Sequence, residues 1–225
     1  TCQSISEGAF SYCTRLRSFS YSCDKLKLGT GTFVGCNNLV ELEINADVIP
    51  ANVCAGLTSL EKIVIGKDVK VINQQAFFGC TKLTQFEVDA NNAYFKQNGN
   101  QVLTSDRDEL VLVAPGAGGV ITLPDSVTKI GVGAFSSNLK VNKVVGKNVT
   151  SVGNYAFYGS GVRNYELGTL ETIGDYAFAG TSIRVMPDVT NNVTIGERAF
   201  AGTDITEVNL GEYDGITIGD YAFFN

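Results

Sequence analysis

The residues of this chain best suited to chemistry share one recurring position: Tyr155, Tyr176 and Tyr221 each stand just before an Ala-Phe pair, and Arg198 takes the same place in the intervening unit. Phenols and a guanidinium are poor tools for acid–base or nucleophilic work near neutral pH. They are the side chains that dominate binding hot spots, which is the chemistry of recognition. On successive turns of a repeat they would align as a ridge. That ridge either stacks on sugar rings or anchors a protein partner, or it packs on itself as an aromatic ladder covering one wall. Catalysis lacks its usual parts. The chain has no histidine, which removes Ser-His-Asp and Cys-His arrangements and the commonest zinc and iron ligand sets. No two cysteines form a Cys-x-x-Cys pair, and the glycines of Gly29-Thr30-Gly31 and Gly116-Ala117-Gly118-Gly119 lack phosphate-binding spacing. The acids total 23, yet no pair singles itself out for general acid–base work. The expectation is no enzyme, no cofactor and no metal site.

What positions these residues is a repeat. Phe10, Phe33, Cys54, Phe77, Phe135, Phe157, Phe178, Phe200 and Phe223 fill one slot, recurring about every 22 residues as in a solenoid. Five residues before each stands an aliphatic: Ile5, Leu28, Ile49, Ile72, Ile130, Val152, Ile173, Ile195 and Ile218. After the slot comes a second phrase, Leu39-x-x-Leu42-x-Ile44, Leu60-x-x-Ile63-x-Ile65, Leu83-x-x-Phe86-x-Val88, Val162-x-x-Tyr165-x-Leu167 and Ile205-x-x-Val208-x-Leu210, whose closing alternation is that of a strand. Stacked coils would make a parallel sheet from these strands, with the Ile-Gly-x-x-Ala-Phe segment as the return wall and its glycines, Gly131, Gly153, Gly174, Gly196 and Gly219, allowing the turn. The phrase drifts after Phe135 and Phe178, where Asp188 replaces an aliphatic, so those coils are expected to be irregular. Between the strands' inward residues, Glu41, Glu43, Glu61, Lys62, Glu87, Arg163, Glu166 and Glu207 should point outward, giving an acidic face suited to a basic protein segment or simply to solubility. The long interval from Phe77 to Phe135 exceeds two units by about half a unit. Its Asn98-Gly99 pair, and Ser105-Asp106-Arg107-Asp108 before Leu110–Val113, predict one or two hairpins, and the insertion covers about 89–122 within a single solenoid domain, 1–225.

Composition agrees. Charged residues are only 18% and glycines number 25, as repeated tight turns and a secreted type of surface require. A net charge of −6 without a Lys/Arg run makes nucleic acid an unsuitable partner. No stretch has the roughly 18 apolar residues of a membrane span, and no leader pattern opens the chain. Thr1 begins inside a repeat and reads as a processed or engineered terminus, while the end soon after Phe223 shows no polar cap, as if more repeats or a partner chain followed. Among six cysteines, Cys13, Cys36 and Cys80 share a slot with Leu57, Asn138, Ser160, Thr181 and Thr203 and should line an inward ladder as free thiols, with Cys54 buried in the phenylalanine slot. Cys2 and Cys23 are the plausible bridge formers. Asn148-Val149-Thr150 and Asn192-Val193-Thr194 match the glycosylation sequon.

The Ile-Gly-x-x-Ala-Phe-x-x-Cys phrase followed by Leu-x-x-Ile-x-Leu resembles the leucine-rich repeats of the BspA type over nearly the whole chain. Thr32 and Val53 depart from it by replacing the alanine. The resemblance implies a repeat solenoid, a right-handed horseshoe with a parallel sheet on one wall, short turns or helical segments on the other and one hairpin insertion ending in a Leu-Pro-Asp-Ser-Val phrase, here Leu123 to Val127. It also implies an extracellular or cell-surface protein, since such proteins belong to oral and gut anaerobes and some mucosal protozoa and are associated with adhesion to host matrix proteins and other microbes. The function expected is recognition of a host or microbial protein or glycan, with Tyr155, Tyr176, Arg198 and Tyr221 as ligand-binding residues. The alternative is a structural stalk or spacer without a ligand of its own.

Overall fold

The computed structural model describes residues 2–21, 26–73, 75–211 and 213–225, so Cys23 lies outside the described residues. It contains two compact units, Thr1–Ser105 with Val113–Ala117, and Asp106–Leu112 with Gly118–Asn225. Both are stacks of β coils, and no described residue is helical. Among the described residues the return wall is therefore built from short strands and turns.

The first unit carries β1 (Ser4–Ile5), β2 (Lys27–Leu28), β3 (Glu41–Ile44), β4 (Val48–Ile49), β5 (Lys62–Ile65), β6 (Val71–Ile72), β7 (Gln85–Val88), β8 (Phe95–Asn98) and β9 (Gln101–Thr104). β3, β5 and β7 pair in parallel and in register, so that Leu42, Ile63 and Phe86 form one inward row. All three are buried, as the alternation requires. β1 pairs with β2 and β4 with β6, also in parallel. β8 and β9 form the expected antiparallel hairpin, turning at Gly99, whose φ is +61°. Asn92, buried before that hairpin, ties it to the unit: its amide donates to Gly66 O at 2.7 Å and Val69 O at 3.0 Å and its oxygen accepts from Tyr94 N and Phe95 N at 2.8 Å.

The second unit holds β10 (Glu109–Val113, to residue 112), β11 (Gly119–Thr122), β12 (Lys129–Ile130), β13 (Val141–Gly146), β14 (Ser151–Val152), β15 (Asn164–Leu167), β16 (Leu170–Ile173), β17 (Val189–Ile195) and β18 (Thr217–Ile218). One wall is the parallel ladder β10-β12-β14-β16-β17-β18, and the other is β11-β13-β15. Between them Phe135, Phe157, Phe178, Phe200 and Phe223 stack ring on ring at 4.9, 4.9, 5.3 and 5.1 Å. The drift after Phe135 still yields β13, but Ile205-x-x-Val208-x-Leu210 is not a strand and Val208 is exposed. In the preceding coil Pro187 lacks an N–H and Asp188 is exposed, so that coil adds no strand for the next to pair with.

The turns that carry the phenylalanine slot are hydrogen-bonded from coil to coil. In one coil the N–H groups of Tyr155, Phe157 and Gly159 donate to Asp175 O, Ala177 O and Ala179 O of the next, at 2.8, 2.7 and 2.9 Å. Tyr176, Phe178 and Gly180 repeat this one coil on. Alternate N–H groups all point one way because the residues flanking the phenylalanine are left-handed, Tyr155 at φ +56° and Gly159 at +58°.

The glycine of the Ile-Gly pair does not serve the turn. None of Gly131, Gly153, Gly174, Gly196 and Gly219 has a positive φ. What they do is admit the neighbouring coil: a Cβ on Gly196 would lie 2.5 Å from Asp175 N, and one on Gly219 would lie 2.6 Å from Glu197 N.

The slot shared by the cysteines is the expected inward ladder with one exception. Cys36, Leu57, Cys80, Asn138, Ser160, Thr181 and Thr203 are buried, while Cys13, in the first coil, is exposed. Cys80 Sγ donates to Cys54 O at 2.9 Å and Thr203 Oγ1 to Phe200 O at 2.9 Å, and Cys36 and Thr181 likewise meet carbonyls of the turns, whereas the buried Ser160 hydroxyl has no partner among the described residues. Cys2 is exposed and free, and Cys36, Cys54 and Cys80 are free thiols.

Candidate recognition surface

Tyr155, Tyr176, Arg198 and Tyr221 occupy the first left-handed position of the turn, with φ of +56°, +54°, +49° and +55°. In other coils the same place is held by Gly8, Gly31 and Gly133, at +61°, +60° and +66°, or by Asn52 and Gln75, at +56° and +60°. The coil-to-coil hydrogen bonds impose this backbone whatever the side chain. An L residue there costs about 1–2 kcal/mol, and four of them roughly 4–8 kcal/mol.

The side chains form one continuous stack along the second unit. The rings of Tyr155 and Tyr176 lie 5.0 Å apart at 9°, and the Arg198 guanidinium sits 5.8 Å from the Tyr176 centroid and 5.3 Å from that of Tyr221. Both readings of the ridge therefore meet in one object. It packs on itself, and it is still open to solvent along its edge: Tyr221 is 62% exposed and Tyr155 39%. The stacked pair and the edge-on contacts of Tyr158 with Tyr155 and Tyr176 and of Phe224 with Tyr221 return about 0.5–1.5 kcal/mol each, and the two exposed cation–π contacts about 0.5–1 kcal/mol each. These contacts at best offset the backbone strain. Glycine would serve the fold equally well, so packing alone does not account for the four side chains.

Stacking also decides which atoms are on offer. Tyr176 is covered on one face by Tyr155 and on the other by Arg198, leaving ring edges and hydroxyls outward. Its hydroxyl donates to Glu197 Oε1 at 3.3 Å, and that same oxygen lies 3.9 Å from Arg198 Nε. Two further aromatics widen the stripe. Tyr158 meets Tyr155 edge-on at 5.7 Å, and Phe224 meets Tyr221 at 6.0 Å; both are exposed. Sequence reasoning passed over them, although their signal was present, since each directly follows a phenylalanine of the repeat.

The acidic sheet face is real and partly ion-paired. Lys62 of β5 bridges Glu41 at 3.0 Å and Glu87 at 2.7 Å across the first unit's wall, and hydrogen bonds to Glu87 and then Glu41 hold its ammonium above the usual lysine range. In the second unit Lys143 meets Glu166 at 2.5 Å, and this hydrogen bond lowers the carboxyl below its ordinary value. Glu207 is exposed outside any strand. Among the described residues no cluster of cysteines and acids could hold a metal ion, and no helix is long and apolar enough to cross a membrane.

Comparison with known proteins agrees with this geometry. The model of the BspA type leucine-rich repeat region matches residues 1–101 and 119–225 in six copies. No curated protein matches the sequence. Among solved structures, the pneumococcal vaccine antigen PcpA superposes with a TM-score of 0.61 at 18% identity, over 96% of this chain and 60% of that one. A leucine-rich cell surface protein from Faecalibacterium prausnitzii A2-165 does so with a TM-score of 0.58, also at 18% identity, over 96% of this chain and 69% of that one. This chain thus spans three-fifths of the pneumococcal antigen's length.

Proposed function

We propose, since this chain belongs to the family of BspA-type leucine-rich repeat proteins, that it is a non-catalytic recognition module of a cell surface, adhering to a host or microbial partner through Tyr155, Tyr176, Arg198 and Tyr221. The observation that carries this reading is the use of a left-handed position, filled by glycine in three other coils, for four large side chains with no net gain in stability. Strain kept without a net gain from packing supports a functional reading. Kinship supports the location, because the structural likenesses include a cell surface protein and a vaccine antigen. A protein partner is favoured over a glycan. Sugars stack on ring faces, and those of Tyr176 are already covered, whereas ring edges, hydroxyls and a half-exposed guanidinium suit a protein surface.

The test uses the triple variant Tyr155→Gly, Tyr176→Gly and Tyr221→Gly, which removes the side chains and keeps the backbone at ease. Both proteins are screened against immobilised extracellular-matrix proteins and a glycan array. Specific binding to a matrix protein that the variant loses supports the reading. Binding that the variant retains moves the site elsewhere, and no binding by either protein favours a spacer held between other parts of a larger surface protein.

A further inference from the structure

A second place in the molecule has the build of a binding site, away from the ridge. The wall sheet of the second unit ends at β15, and its outer edge is open. Earlier coils are joined by backbone bonds, such as Arg163 N–H to Asn142 O at 3.0 Å. One coil on, no N–H of Ser182–Pro187 reaches a carbonyl of Arg163–Leu167 among the described residues. The segment rejoins the fold only at Asp188, whose carbonyl accepts from Leu170 N–H at 2.8 Å. Tyr165, which stands in an inward row of the wall, donates its hydroxyl to Val185 O and so props the segment off β15. Between β15 and Arg184–Asp188 lies a cleft of about 940 Å³.

The polar lining is specific. Arg163 and Arg184 hold the same place in consecutive coils, each six residues beyond its phenylalanine, and both are exposed. They line the cleft together with Lys147, and none of the three has an ion pair among the described residues. Of the acids in the lining, Glu166 is engaged by Lys143, Asp188 ends the displaced segment and Asp204 comes from the coil after it. An open strand edge is a template for an extended chain, and adjacent like charges favour an acidic guest.

We propose that this cleft receives an extended, acidic peptide segment of a partner protein, which adds to β15 as the strand that the next coil fails to supply. The chain's own β3 shows the chemistry of such a strand, with Glu41 and Glu43 outward and Leu42 and Ile44 buried. Backbone bonds to the β15 edge give affinity, and carboxylates meeting Arg163 and Arg184 set register and specificity.

A fluorescein-labelled peptide copying Val40–Asn45 is titrated into the whole chain and followed by fluorescence anisotropy. Saturable binding is expected, weakened at least about tenfold by R163E with R184E or by lysine at both glutamates of the peptide. The lysine peptide with the double variant should restore it. Addition of the peptide should slow hydrogen exchange at Tyr165–Leu167, and the triple glycine variant of the ridge should bind it as well as the parent does. Since both arginines are exposed, the variants should melt like the parent. No saturable binding at millimolar peptide, equal binding of both peptides, or protection confined to other residues would overturn the proposal.

Discussion

Two residues apart in one turn, Tyr155 and Phe157 illustrate opposite uses of an aromatic ring. Phe157 is fully buried in the ring stack, while Tyr155 stands at a left-handed position on the surface. Phe157→Ala should cost about 3–5 kcal/mol by loss of burial and a cavity. Tyr155→Gly should change stability by less than about 1 kcal/mol, because relief of the left-handed strain offsets the lost stacking. Denaturant unfolding of both variants checks the pair, and a large loss from the tyrosine variant would make the ridge a structural ladder instead. The repeating position of these residues was legible in the sequence. Their φ was signalled only indirectly, by Gly8, Gly31, Gly133 and Asn52 in the same slot of other coils, because a left-handed tyrosine follows from hydrogen bonds between coils distant in sequence.

At the scale of the element, strands follow from alternation and turns from contact between coils. β3, β5, β7 and β15 lie where an aliphatic alternates with a polar residue, and the Asn98-Gly99 hairpin lies where a two-residue turn requires it. The same alternation in Ile205-x-x-Val208-x-Leu210 produced no strand, since a strand also needs a neighbour and the preceding coil supplies none. Nor did sequence single out Asn92, whose clamp on Gly66 and Val69 joins residues far apart in the chain. The glycines separate by mechanism. Gly196→Ala should cost about 3 kcal/mol, because its Cβ would meet the backbone of the neighbouring coil. Gly56→Ala, at φ +74° with nothing near its Cβ, should cost only about 1 kcal/mol of left-handed strain. Equal losses in thermal or denaturant unfolding would contradict this division.

For the molecule as a whole, buried thiols tie stability to pH. Burial pushes the Cys54 thiol well up and that of Cys80 to about 12, while an unfolded chain would ionise both near the ordinary thiol value. The folded state therefore holds protons that the unfolded state gives up. Their contribution is fully present below about pH 8.5 and falls as pH rises toward the folded values. The thermal midpoint should drop through that window, and the slope should flatten in a Cys54→Ala, Cys80→Ala variant; an unchanged slope would assign the loss to other groups. The sequence by itself determined the repeat, its period, its inward rows and the absence of histidine chemistry, because these depend on which residue types recur at which spacing. Only the tertiary structure decided that the Ile-Gly glycine admits a neighbouring coil, that the tyrosines and Arg198 interleave in left-handed positions, and that one coil of the wall is missing beside β15. Each of these depends on how successive coils meet, and that contact is made between residues about one repeat apart, beyond the reach of any local pattern.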